Sequence, residues 1–254
     1  MTELCALIFD VDGTLADTER DGHRVAFNRA FKEAGLDWDW PVELYGKLLK
    51  VTGGKERMLF YLDQYRPDWQ RPADIKAFIA GLHAAKTQHY TQLLAEGAIP
   101  LRPGVKRLLL EAREQGMRLA IATTTTPANV TALLESTLGQ EGLGWFEAIG
   151  AGDIVPAKKP APDIYHYVLQ QLRLHPAQCL AFEDSDNGLK SAVQAGLKTV
   201  VTVNDYTQNQ DFTDAILVLD HLGNGDQPFT VLAGQVGWTT YFDMSLARGL
   251  HAKK

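Results

Sequence analysis

Residues 4–14 read LCALIFDVDGT. Leu4 to Phe9 run six apolar residues without polar alternation, and Asp10 and the turn pair Asp12–Gly13 then stop the run. A short continuous run of this kind suits a parallel sheet covered on both faces. Similar runs recur: Leu119–Ala122 within a strand expected at Arg118–Thr123, Ala148–Gly152, Leu180–Phe182, and Val200, Val201 and Val203 within Thr199–Val203. Residues 103–116 read as a helix, with Pro103 near its start and Gly116 after its end. Residues 186–196 repeat the scheme, closing on Gly196 before the next strand. Helix, glycine, strand, twice over, is the rhythm of an α/β fold with a doubly wound, Rossmann-like parallel sheet.

Residues 16–95 break that rhythm. Helical patterns fill them at 20–34, 41–50, 54–65 and 72–95, with Trp38, Trp40 and Trp69 among them. An all-helical insertion after the first strand predicts a small helical cap over 16–95. The catalytic core is then 1–15 together with 96–254, with hinges near Leu15–Asp17 and Glu96–Pro103. The last stretch, 227–254, reads either as a final helix packed on the core or as a partly mobile tail.

Composition sets outer bounds. The chain has 254 residues, 45% hydrophobic and 22% charged, enough for a sizeable core without disulfides. A formal charge of −6 argues against binding nucleic acid or an anionic membrane non-specifically. Cys5 and Cys179 are too few for a disulfide framework and read as reduced, buried thiols. No apolar stretch approaches a membrane span, and the N-terminus lacks a secretory pattern. A cytoplasmic protein is expected, or a mature organellar one already processed.

Ligands of open parallel sheets bind outside the carboxyl ends of the strands. There the sequence places Asp10 and Asp12, then Thr123, then Glu183 and Asp184, with Lys158 and Lys159 in a Pro-rich loop. Taken singly, each is an ordinary turn, cap or solvated loop. Together, four carboxylates repel unless a hard divalent cation such as Mg²⁺ sits among them. A threonine hydroxyl and a lysine ammonium can hold phosphoryl oxygens. One carboxylate can attack phosphorus, and a second, two residues on, can move the proton. The set predicts phosphoryl transfer through an aspartyl-phosphate.

FDVDGT at 9–14, IATTTT at 121–126, KKPAPDIY at 158–165 and EDSDNG at 183–188 resemble the four ordered motifs of the haloacid dehalogenase superfamily. The helical insertion is similar to that family's small cap. The resemblance implies Asp10 as nucleophile and Asp12 as general acid/base. It implies Thr123 and Lys159 as phosphoryl ligands. It implies Mg²⁺ held by Asp10, the Asp12 carbonyl and Asp184, with Glu183 beside it. Within the superfamily, residues 17–31, 45–58 and 212–223 look most like the CbbY branch, which is implied to hydrolyse xylulose 1,5-bisphosphate, an inhibitory by-product of Rubisco and the Calvin cycle. Small proteins of this type are often monomers, so a monomer is expected. A mutase of the β-phosphoglucomutase type, a phosphoglycolate phosphatase and a non-catalytic phosphosugar-binding protein stay open as alternatives.

Specificity then falls to the cap. Lys47, Lys50, Lys55 and Arg57 surround Gly53 and Gly54, whose backbone amides can form an anion nest. This stretch reads as a clamp for a second phosphate, or else as a solvated basic helix face. Asp17 and His23 on the linker, and Thr124 and Thr125 below, are expected to reach substrate hydroxyls. β-Phosphoglucomutases carry a histidine five residues after the aspartate matching Asp17. Here that position is Gly22, and His23 follows one residue later, a shift that weakens the mutase reading without excluding it.

Overall fold

The computed structural model describes residues 2–253. Within them, seven strands form one sheet in the order β3-β2-β1-β4-β5-β6-β7. These are β1 (Ala6–Phe9), β2 (Arg118–Ala122), β3 (Ala148–Gly150), β4 (Cys179–Glu183), β5 (Lys198–Thr202), β6 (Leu217–Leu219) and β7 (Val231–Ala233). All neighbours pair in parallel except β6 and β7, which are antiparallel. The chain winds outward from β1 through β2 to β3, then crosses to β4 on the other side of β1. That reversal leaves a crevice at the carboxyl ends of β1, β2 and β4. Register aligns the three strands: Phe9 faces both Ile121 and Phe182. Asp10, Thr123 and Glu183 therefore emerge near one level.

Alternation along β1 divides the core. Leu7 and Phe9 face one side, with Leu119, Ile121, Leu180 and Phe182. Phe9 stacks on Phe182 at 4.5 Å between ring centroids. Helix α5 (Val105–Glu114) covers that side, beside α9 (Met244–Ala252), which buries Met244, Ala247 and Leu250. The other side is lined by Ala6, Ile8, Ala120, Ala122 and Ala181 against α7 (Asp163–Leu172) and α8 (Asp186–Gln194). Small alanines let those helices approach the strands closely. The C-terminal stretch is thus the packed-helix alternative, with a strand added. β6 and β7 are absent from the sequence reading; β6 lies in the continuous apolar run Ala215–Leu219, a signal that was available, whereas β7 is three residues long and carries little periodicity. Cys179 is buried, and burial pushes its thiol up to about 12; Cys5, expected to be buried too, is only half so.

Between β1 and α5 the described chain is helical. A π-helical turn (Glu19–His23) runs into α1 (Arg24–Glu33), followed by α2 (Val42–Leu48), α3 (Gly54–Tyr65) and α4 (Ile75–Ala95). Phe27, Phe31, Trp38, Trp40, Tyr45 and Tyr61 form a separate aromatic cluster there. Phe31 meets Trp40 edge-on at 4.9 Å, and truncating such a ring would cost about 3–5 kcal/mol. Tyr90, Leu93 and Leu94, at the end of α4, instead join the hydrophobic cluster of the sheet. They seat that end of the helix on α6 (Pro127–Leu138). The two linkers run side by side: Ala16 bridges Leu101, and the Arg102 amide donates to the Leu15 carbonyl at 2.9 Å. Among the described residues, no helix is long and apolar enough to cross a membrane.

Candidate active site

Asp10 directly follows the carboxyl end of β1, buried, with Oδ1 accepting from Lys159 Nζ at 2.6 Å. Lys159 also donates to Glu183 Oε1 at 2.7 Å and to the Ala122 carbonyl at 2.9 Å. This one ammonium therefore ties the ends of β1, β2 and β4 together. Tyr165, fully buried on α7, donates its hydroxyl to Glu183 Oε1. Asn204, after β5, donates to Asp184 Oδ2 at 2.7 Å. Thr123 follows β2, its amide donating to the Gly150 carbonyl at 2.9 Å and its hydroxyl accepting from the Thr125 amide at 3.3 Å.

Carboxylate oxygens of Asp10, Glu183 and Asp184 lie within 4.8 Å of one another. The cluster is short of positive charge. Burial pushes Asp10 well above the usual carboxylate range, and Lys159 only partly offsets it. Burial, with the Glu183 charge adding, pushes Asp184 up to about 7. Glu183 Oε2 is buried with no hydrogen-bond partner. Three oxygen donors, an orphaned lone-pair atom and a deficit of cationic charge fit a hard divalent cation.

Asp12 is turned away from that cluster. Its Oδ1 accepts from Thr18 Oγ1 at 2.6 Å and lies 2.9 Å from His23 Nε2. His23 Nδ1 lies 2.8 Å from Lys86 Nζ, which is buried between the Phe27 and Tyr90 rings. An ammonium only donates, so Nδ1 accepts and Nε2–H points at Asp12. Burial pulls Lys86 down to about 8. Burial alone would push Asp12 up, but His23, Thr18 and Lys86 outweigh it and hold Asp12 below the usual range. A π-turn holds one residue more than an α-turn. The turn at Glu19–His23 absorbs the extra residue after Asp17 and still brings His23 to Asp12.

A cleft of about 310 Å³ opens above Asp10. Asp10, Asp12, Thr123, Thr124, Lys159, Glu183 and Asp184 line it from the sheet, and Lys50 and Arg57 from the helices above. A side cavity of about 40 Å³ is bordered by His23, Gly53, Gly54, Arg57, Lys86, Thr124 and Thr125. Gly53, at φ +96°, opens α3, and a Cβ there would lie 2.2 Å from Glu56 Oε2. Arg57 donates to Tyr45 Oη at 2.8 Å, and Tyr45 donates to Glu19.

Two expected substrate contacts lie elsewhere. Asp17 points out of the cleft toward Arg102, with 3.2 Å between Oδ1 and Nε. Lys55 is paired with Asp153, which also takes Lys158 at 3.0 Å. The reason is the same for both: a strong opposite charge from the far side of the linker or cleft claims the side chain. Residues the sequence did not single out are Glu19, Lys86, Tyr165 and Asn204. Tyr165 closes the quoted KKPAPDIY stretch, a signal that was available; Lys86, Glu19 and Asn204 carry none beyond their charge or polarity.

The sequence matches the haloacid dehalogenase-like hydrolases over residues 6–196. The chain belongs to that family. Protein CbbY of a Cupriavidus necator plasmid is 52% identical over 223 residues, covering 88% of this chain and 87% of that protein. Protein CbbY of Rhodobacter capsulatus is 54% identical, covering 84% and 91%. Crystal structures of Rhodobacter sphaeroides CbbY, one with phosphate and one of a mutant with xylulose 1,5-bisphosphate, match with TM-scores of 0.80 at 46% and 45% identity, each covering 87% of this chain and 95% of the other. This haloacid dehalogenase-like hydrolase is thus of the phosphatase type, and it is similar to CbbY proteins.

Proposed function

We propose that this hydrolase removes one phosphate from xylulose 1,5-bisphosphate, giving xylulose 5-phosphate and inorganic phosphate, with Mg²⁺ as cofactor. The reading rests on Asp10: one carboxylate oxygen is held by Lys159, the other is free, and the acidic cluster surrounds both. Similarity to CbbY proteins, one of which has been crystallised with this bisphosphate, names the substrate. Asp10, Asp184 and the Asp12 carbonyl would hold the ion, with Glu183 beside it. When bound, it would neutralise the crowded carboxylates and draw charge from the transferring phosphoryl group.

Asp10 Oδ2 attacks phosphorus while the bond from phosphorus to the sugar oxygen breaks. Lys159 and Thr123 hold phosphoryl oxygens as charge builds on them. Asp12, protonated and swung from His23 toward the leaving oxygen, gives up its proton. It then takes a proton from water, which attacks the aspartyl-phosphate and frees Asp10 and phosphate. In the observed position Asp12 is anionic, the state needed for the second step. Lys86 and His23 set that state through the hydrogen-bonded chain Lys86–His23–Asp12.

Residues 16–95 act as the cap that reads the rest of the substrate. Arg57, the amides at Gly53–Gly54 and the hydroxyls of Thr124 and Thr125 border the side cavity, a setting for a second phosphate about one sugar length from the first. The His23–Asp12 contact favours a mutase as the second reading, because it restores the arrangement that the one-residue shift argued against.

Phosphate release with Mg²⁺ is compared for xylulose 1,5-bisphosphate, ribulose 1,5-bisphosphate, β-glucose 1-phosphate and phosphoglycolate, with Asp10→Asn as blank. Strong preference for the first is the expected result. Accumulation of an isomeric sugar phosphate without free phosphate would replace phosphatase by mutase. Equal, slow release from all four would remove the substrate assignment.

A further inference from the structure

The first turn of α3 has no cap of its own. Gly53 stands before it at φ +96° and offers no side chain to accept from the open amides. Further along, Met58, Tyr61 and Leu62 fix the helix in the aromatic cluster. Gly53, Gly54 and Arg57 border the side cavity, so the seating of this turn shapes what the cavity can hold.

The turn is held from across the cleft instead. Lys55 donates to Asp153 Oδ2, on the loop after β3. Lys158, on the loop before α7, donates to Glu56 Oε1 at 2.8 Å and lies 3.0 Å from Asp153 Oδ1. Charges alternate along Lys55, Asp153, Lys158 and Glu56. The two ends belong to α3 and the two middle members to the sheet side. Hydrogen bonds from Lys55 and Lys158 pull the Asp153 carboxyl down to about 2, so it is anionic at neutral pH.

An isolated exposed ion pair contributes little. Here Asp153 and Lys158 each serve two partners, and the Lys158 side chain is only 15% exposed. The backbone is also shaped to the network. A Cβ at Gly53 would lie 2.8 Å from Lys158 Nζ, so the ammonium packs where only glycine leaves room. Lys158 precedes Lys159, which holds Asp10 and Glu183. One loop therefore carries the phosphoryl-binding ammonium and a grip on α3. Asp153 itself is 59% exposed, so water can replace its partners and the grip can be broken and remade.

We propose that Asp153 is a positioning residue: through Lys55, and through Lys158 to Glu56, it seats the first turn of α3 over the cleft and so sets the affinity for the part of the substrate that this turn meets. The inference rests on the phosphatase reading with residues 16–95 as its cap, and not on which ester is hydrolysed. A contact that favours the seated arrangement raises the fraction of protein ready to bind, and the apparent affinity rises in proportion.

Phosphate release with Mg²⁺ is measured for wild type, Asp153→Asn, Lys55→Gln and the double variant. The probes are the four esters named above and acetyl phosphate, which has no sugar to span from Asp10 to α3. Asp153→Asn should raise KM about tenfold for the ester that wild type hydrolyses best, with kcat within about twofold. Its release from acetyl phosphate should be unchanged, which also shows that the variant folds. Lys55→Gln should raise KM less, because Lys158 stays paired, and adding it to Asp153→Asn should change nothing further. Asp153→Glu should recover most of the loss. Losses that multiply in the double variant would overturn the inference and return Lys55 to the substrate. An equal fall on acetyl phosphate would overturn it by assigning Asp153 to the Asp10 centre. So would an unchanged KM for Asp153→Asn on every ester that wild type hydrolyses. Failure of the substrate assignment shows separately, in which ester wild type prefers.

Discussion

Asp17 Oδ1 and Arg102 Nε stand 3.2 Å apart, joining the two linkers that connect the helical segment to the sheet. Arg102 is buried, and its remaining donors go to the carbonyls of Gly13, Thr202, Val203 and Asp220. The guanidinium thus gathers the loops after β1, β5 and β6 into one fixed post, and Asp17 ties the first linker to it. Asp17→Ala should loosen the pivot without removing a substrate contact. KM is expected to rise a few-fold, and by the same factor for bisphosphate and monophosphate substrates. A loss confined to one substrate would return Asp17 to the cleft.

Lys86 donates to His23, and His23 to Asp12. Lys86→Met keeps the bulk of the stem but removes the donor that fixes His23 Nδ1 as an acceptor, so the ring no longer presents a fixed Nε2–H. Turnover should fall by roughly 10–100-fold, the scale of lost outer hydrogen bonds at reactive groups, with KM little changed. Steady-state kinetics on wild type and variant decide it; a change in KM alone would assign Lys86 to phosphate binding.

Gly188 occupies the first turn of α8, where a Cβ would come within 1.8 Å of Glu183 Oε2. Glu183 cannot step aside, because Lys159 and Tyr165 both hold it. Gly188→Ala should cost about 1–3 kcal/mol through overpacking and should lower turnover by displacing the Lys159 anchor. Urea unfolding together with phosphate release measures both effects.

His83 packs against Gly54, and burial, with repulsion from Lys86 and Lys55, lowers its pKa to about 3. In the unfolded chain the ring takes a proton near pH 6.5. Between about pH 6.5 and 3 the unfolded state therefore binds more protons. The stability is fully present above that window and is lost as pH falls through it. At pH 5 the loss should be on the order of 1–2 kcal/mol relative to pH 7.5. His83→Gln, which cannot charge, should flatten that dependence in denaturant titrations at the two pH values.

How far the sequence reaches is clearest at Asp10 and Lys86. Asp10, Thr123, Glu183 and Asp184 were legible because each follows a short apolar run, and a parallel sheet puts the ends of such runs on one edge. The proline-rich loop pointed to Lys158 and Lys159 alike, and the family resemblance chose Lys159. These are local signals: hydrophobic period, stop residues and turn chemistry act within a few positions.

Lys86 lies 63 residues from His23, Arg102 lies 85 from Asp17, and Lys55 lies 98 from Asp153. Periodicity reports that a side chain is on a buried or exposed face, but not which face of another element will meet it. Only the packing of α1 against α4, and of the helical segment over the sheet, decides those pairs. By itself, then, the sequence determined the layered fold, the strand-end carboxylates and the position of the helical insertion. Tertiary structure decided that Asp17 serves a linker and not the cleft, that Lys55 is drawn to Asp153, and that a π-turn carries His23 to Asp12. The physical reason is one: charges separated along the chain find partners only after hydrophobic burial has fixed where each element sits.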